Sequence, residues 1–131
     1  MRFLLTALPG VLRVKAQPQR DARGLFARLS CPQEFAAAGI TDFDAWQTSL
    51  SRNAGRHTLR GMHYQAAPHP EAKLVRAVRG RAYDVVIDLR RNSPCRGKWI
   101  AVELDARTMN AIFIPPGCEE NCVGTVFLAE A

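Results

Sequence analysis

The chain has 131 residues, 47% of them apolar and 23% charged, which fits one globular domain with a buried core and excludes a disordered or low-complexity chain. The net charge is +6, and because lysine stands only at 15, 73 and 98 the basic excess is arginine. Arginine forks suit phosphate and diphosphate oxygens, but these arginines are scattered and accompany no helix-turn-helix, zinc-finger or RNA-binding pattern, so nucleic acid is not an expected partner.

The first ten residues, MRFLLTALPG, carry an apolar core too short for a signal peptide, and Pro9-Gly10 stops it. No run reaches transmembrane length, so a cytoplasmic protein without a membrane partner is expected. Val11 to Ala16 alternates like a strand. Asp21 to Gly24 reads as a turn and Leu25 to Leu29 as a second short strand. Ser30, Pro32 and Gln33 predict the opening of a helix over 32–38, capped by the serine and ended by Gly39. Strands are predicted for Ala45–Ser51 and Thr58–Gln65, followed by a proline loop over Ala66–Ala72. Lys73–Arg79 and Ala82–Leu89 are strands divided at Gly80, by a hairpin or a sharp bend. After a loop over Arg90–Gly97 come strands Lys98–Leu104 and Asn110–Ile114, a hard turn at Pro115-Pro116-Gly117, and a last strand over Val123–Leu128. Many short strands with one small helix predict a mainly β sandwich or barrel. Cysteines 31, 95, 118 and 122 form no spaced framework and are expected as reduced thiols.

The chemistry-bearing residues concentrate between Thr58 and Trp99. On a regular strand Leu59, Gly61, His63 and Gln65 share one face, and a barrel interior holding histidine and glutamine is a polar pocket. A lone interior histidine is more often structural than catalytic, but its neighbours change the balance. Lys73 opens the next strand and can offset a developing oxyanion. Asp84 or Asp88 can pair with it and keep it charged; Asp88, nearer the strand end, is the one expected to be solvated. Arg60 falls on the face opposite His63 unless the strand bulges, and Gly61 is where a bulge would sit.

The segments LRGMHYQ, KLVRAVRGRAYDVVIDLRRNSPCRGKW and IFIPPG, with LPGVL, DARGLF and WQTSLSRNAGRHTLRG before them, resemble the dTDP-4-dehydrorhamnose 3,5-epimerase family. The resemblance implies a single cupin-type jelly-roll domain, a homodimer with extended N-terminal strands, and neither metal nor cofactor. Its substrate would be a dTDP-linked 4-keto-6-deoxy sugar, epimerised at carbon 3, carbon 5 or both on the way to dTDP-L-rhamnose. Carried onto this chain, His63 is the general base beside the 4-keto group and Lys73 steadies the enolate. Arg60 and Gln47 contact substrate, and Asp84 lines the pocket. Arg23 and Phe26 resemble residues that a partner subunit lends to the nucleotide site.

Departures from the family pattern begin after Gly117. The positions Cys118 to Cys122 read CEENC, so the family's next histidine falls on Glu120. The tyrosine that acts as acid on the opposite sugar face, and the aspartate that pairs with the histidine base, do not appear before Ala131. Ser49 stands where an asparagine is expected. The expectation is a family domain lacking its C-terminal portion, by truncation or divergence, with impaired epimerase activity. The alternative is a sugar-nucleotide-binding pseudoenzyme that keeps the fold and lacks turnover, or a truncated inactive homologue.

Overall fold

Alternation gives β-strands a core face and a solvent face, as in the LRVK run of residues 12–15, where Leu12 and Val14 are buried and Arg13 and Lys15 exposed. The structure is a computed structural model describing residues 1–41, 43, 47–65, 68–116 and 123–130, the last stretch as a backbone strand. Its elements are β1 (Arg2–Leu5), β2 (Leu12–Lys15), β3 (Gln19–Asp21), β4 (Gly24–Phe26), α1 (Pro32–Ala37), β5 (Thr58–His63), β6 (Lys73–Arg76), β7 (Arg81–Asp88), β8 (Trp99–Asp105), β9 (Ala111–Ile114) and β10 (Val123–Glu130). One antiparallel sheet has the order β1-β2-β9-β6 and the other β5-β10-β7-β8, while among the described residues β3 and β4 pair only with each other.

β9 carries the unbroken apolar run AIFI because both its faces are buried. Ile112 and Ile114 point between the sheets, where they meet Val86, Val102 and Leu104 of the second sheet. Ala111 and Phe113 point the other way, into a second cluster with Leu12, Val14 and Phe35. Phe35, at 1% exposure, anchors α1 there. Its ring centroid lies 5.2 Å from Phe3, 5.1 Å from Phe43 and 6.1 Å from Phe113, in edge-on and stacked geometries.

Several sequence expectations need correction. The opening apolar residues form β1, which pairs with β2 through Phe3↔Val14 and Leu5↔Leu12. Of the strand expected over Ala45–Ser51, residues 47–51 have no regular structure, and Ala45 and Trp46 lie outside the described residues. β4 ends at Phe26 rather than at Leu29. The helix is capped at Cys31, without a side-chain cap, rather than at Ser30. Of the two readings at Gly80, a hairpin or a sharp bend, the bend holds: Gly80 (φ 68°) divides β6 from β7, which lie in different sheets. Gly117 and the stretch Cys118–Cys122 lie outside the described residues, while Cys31 and Cys95 are free thiols.

Asp88 also departs from expectation. It is not solvated but fully buried. Its carboxylate accepts hydrogen bonds from Arg90 Nε at 3.0 Å, Arg90 Nη2 at 2.7 Å, the Arg90 backbone N–H at 3.0 Å and Ser93 Oγ at 2.6 Å. Burial opposes its charge, but the hydrogen bonds from Arg90 and Ser93 outweigh it and hold the carboxyl below the usual range. Arg90 Nη2 also donates to the Pro9 carbonyl at 2.7 Å, tying the end of β7 to the turn between β1 and β2. Among the described residues no helix is long and apolar enough to cross a membrane.

Candidate functional site

The site is assembled by register. Strand β10 lies between β5 and β7, and its residues Thr125, Phe127, Leu128 and Ala129 align with a residue on either side. One row reads His63↔Thr125↔Val86, and the next reads Arg60↔Phe127↔Asp84. Between these rows β10 and β7 each advance two residues, but β5 advances three. The extra residue is a β-bulge at Gly61-Met62, with Gly61 at φ 111°, a conformation that glycine adopts without strain. The bulge turns Arg60 to the face that carries His63. Because Val86 and Asp84 are both fully buried, that face is the one turned towards the other sheet. Strict alternation would have separated the two basic side chains; the glycine joins them.

The opposing sheet contributes Lys73. It aligns with Ile114 and shares a face with Val75, which aligns with Ile112. Ile112 and Ile114 pack between the sheets, so half-buried Lys73 stands at the inward end of that row.

Asp84 is the anomaly of the site. It is 0% exposed, and neither carboxylate oxygen has a hydrogen-bond partner among the described residues. The expected pairing with Lys73 is therefore absent. Burial pushes its pKa up to about 7, so the group is balanced between acid and carboxylate near neutrality.

His63 and Arg60 are exposed on β5, the edge strand of its sheet among the described residues. His63 makes no hydrogen bond among the described residues, whereas Arg60 donates through Nε to Asn53 Oδ1 at 2.7 Å. Asn53 was not singled out in the sequence. Its cue is the run Asn53-Ala54-Gly55, turn-forming residues just before a strand. Gln47 is exposed in the irregular segment before β5 and donates to Ser49 Oγ at 3.3 Å.

Arg23 and Phe26 are not brought to this site. They sit on the β3–β4 hairpin, whose six strand residues are all exposed. Phe26, 76% exposed, lines a separate recess of about 250 Å³ with Met1, Gln17, Gln19, Arg28 and Glu34. Arg23 Nη2 pairs with Asp21 Oδ2 at 2.6 Å, and that hydrogen bond holds the Asp21 carboxyl below its ordinary range.

Two facing antiparallel sheets with a core between them make the chain a mainly β fold, and solved structures of cupin-type jelly rolls match it over nearly its whole length. An rmlC epimerase of Mycobacterium tuberculosis superposes with a TM-score of 0.89 at 31% identity, covering 99% of this chain and 62% of that one. A Streptomyces bikiniensis 3'-monoepimerase, solved in complex with dTDP, gives 0.86 at 29% identity, covering 98% and 61%. The family model for dTDP-4-dehydrorhamnose 3,5-epimerase matches residues 5–125. A curated enzyme of that name from Shigella flexneri is 35% identical over 117 residues, 89% of this chain and 64% of its own length. One from Mycolicibacterium smegmatis is 37% identical over 128 residues, 94% and 58%. The chain belongs to the dTDP-4-dehydrorhamnose 3,5-epimerase family, and it spans about three fifths of the length of these relatives.

Proposed function

We propose that the chain acts on a dTDP-linked 4-keto-6-deoxy sugar as an epimerase, by exchanging a proton next to the 4-keto group. The observation that carries this reading is the bulge at Gly61, which sets Arg60 and His63 on one inward face opposite the Lys73 row. A neutral imidazole can take the acidic C–H proton, and the electron pair left behind moves onto the carbonyl oxygen as an enolate. The Lys73 ammonium offsets the enolate charge, and Arg60 supplies a fork for anionic oxygens. Return of a proton to the other face inverts the carbon. Gln47 and Asp84 are assigned to substrate contact in the same pocket. The exposed hairpin with Arg23 and Phe26 is suited to reach into the pocket of a second copy, which supports a homodimer.

The test is solvent deuterium uptake into dTDP-4-keto-6-deoxyglucose, followed by mass spectrometry. The wild-type chain should incorporate deuterium. His63→Ala should slow uptake by a hundredfold or more, on the order expected for a general base. Uptake unchanged in that variant would reject the role of His63. The binding-only reading is favoured by one observation, that His63 has no hydrogen-bond partner among the described residues. Its signature is dTDP binding by calorimetry with no deuterium uptake in the wild type.

A further inference from the structure

The segment before β5 folds back on the strand it feeds. Residues 54–57 turn, with His57 in the left-handed region at φ 59°, and the Thr58 hydroxyl donates to the Gly55 carbonyl at 2.8 Å. The reversal returns half-buried Asn53 to the flank of Arg60, seven residues further on. There Arg60 Nε donates to Asn53 Oδ1 at 2.7 Å, and Arg60 Nη2 donates to the Arg52 carbonyl at 3.5 Å.

A guanidinium has two edges that can meet a pair of oxygens. The lateral edge consists of Nε and one Nη, and the terminal edge of both Nη groups. Asn53 and the Arg52 carbonyl occupy the lateral edge. The terminal edge makes no hydrogen bond through Nη1 among the described residues. Arg60 is exposed, so an unrestrained side chain of this length would sample many rotamers, and each would have to be lost on binding. The contact from Asn53 removes that freedom in advance. The bulge has already turned Arg60 to the face of His63, so the side chain that Asn53 restrains leaves the strand on that face.

We propose that Asn53 is a positioning residue: it grips the lateral edge of the Arg60 guanidinium and so presents the terminal edge to a paired anionic oxygen group, the diphosphate of the sugar nucleotide. This rests on the proposed function for the identity of the ligand but not for the Asn53–Arg60 contact. The contact locks one rotamer of the residue that faces the substrate, so it acts on binding more than on proton transfer.

The experiment uses the full chain, with dTDP and inorganic pyrophosphate as separate calorimetric probes and the Arg60 Nε–H resonance as a spectroscopic marker. Asn53→Ala should weaken dTDP about tenfold, the scale of one hydrogen bond to a charged group, and should lose the slowly exchanging Nε–H signal. The same substitution made on top of Arg60→Ala should cost nothing further. Asn53→Asp keeps an acceptor in place, so the Nε–H signal should persist in that variant. In turnover the Asn53→Ala loss should appear in KM rather than in kcat. An equal loss with and without Arg60, or an Nε–H signal that Asn53→Ala leaves intact, would overturn the proposal. If the wild type binds pyrophosphate but not dTDP, the sugar-nucleotide reading fails while this one stands on the pyrophosphate series. Binding of neither probe overturns both.

Discussion

Arg60 and His63 lie three residues apart on one strand and yet face the same way. On a regular ladder an odd separation puts two side chains on opposite faces. Here Arg60 aligns through β10 with Asp84, and His63 aligns through it with Val86, with the extra residue absorbed at Gly61-Met62. The basic pair of the site is thus a consequence of one glycine.

Gly61→Ala tests that consequence. Gly61 sits at φ 111°, a region that side chains with a Cβ rarely enter, so alanine there costs on the order of 1–3 kcal/mol or forces the bulge out. If the ladder regularises, Arg60 turns away from His63. The expected outcome is a loss of dTDP affinity at least as large as that of Arg60→Ala, with a lowered urea midpoint. Unchanged affinity with unchanged stability would mean that the bulge does not position Arg60.

The β architecture was legible because several strands carry their own signals: β2 alternates buried Leu12 and Val14 with exposed Arg13 and Lys15, and β9 is apolar throughout because both its faces are covered. β7 runs against its pattern, burying Asp84, Val86 and Asp88 and leaving Tyr83, Val85 and Ile87 on the less buried face. Gly61 was legible as the one place where a bulge would reunite Arg60 with His63. What stayed hidden was long-range. β1 reads as a short apolar run, and only pairing with β2 makes it a strand. Asp88 sits at a strand end, where aspartate is ordinarily solvated, and only the loop that brings Arg90 and Ser93 over it reveals a buried hub. Asn53 looked like a turn residue, and its second role depends on a chain reversal that no local pattern specifies.

Asp88→Ala should destabilise the fold without touching ligand recognition. The substitution removes the acceptor of Arg90 and Ser93 and leaves the Arg90 guanidinium, 17% exposed, without its carboxylate. Breaking a buried pair from one side costs roughly 3–5 kcal/mol. Because the folded pKa of Asp88 is depressed, its stabilisation is present above the unfolded carboxylate pKa and fades as pH falls through the folded value. The difference in urea midpoint between wild type and variant should therefore be widest near neutrality and shrink in acid; a constant difference would argue against the ionised pair.

Phe35→Ala examines how α1 is held. The helix has six residues and no side-chain cap, so its own hydrogen bonds cannot sustain it. Phe35 fastens it to Phe3, Phe43 and Phe113 on the outer face of the first sheet. The expected cost is about 3–5 kcal/mol, the range for deleting a buried phenylalanine, accompanied by faster amide exchange at Phe35, Ala38 and Ile40. Protection unchanged at those amides would show that Phe35 is not what holds the helix, and would leave it to the pairing of Glu34 with the Met1 ammonium and Arg28.

Asp84 carries the clearest pH prediction. Its carboxyl is fully buried, lacks a partner among the described residues, and titrates at about 7 rather than at the ordinary 3.8. A raised folded pKa means that the folded chain binds more protons than the unfolded one. The group therefore imposes no penalty below about pH 4, and stability is lost as pH rises from there through about 7. The gap of about three pH units corresponds to on the order of 4 kcal/mol once the group is fully ionised. Asp84→Asn keeps the shape and cannot ionise, so its urea midpoint should match wild type in acid and exceed it above neutrality. A wild-type midpoint that holds level with the variant from pH 4 to 8 would refute the buried, unpaired carboxylate. The same substitution should weaken the sugar nucleotide if Asp84 lines its pocket, so stability and binding would move in opposite directions. That opposition separates a carboxylate kept for ligand recognition from one kept for the fold, because a residue serving only the fold would lose both together.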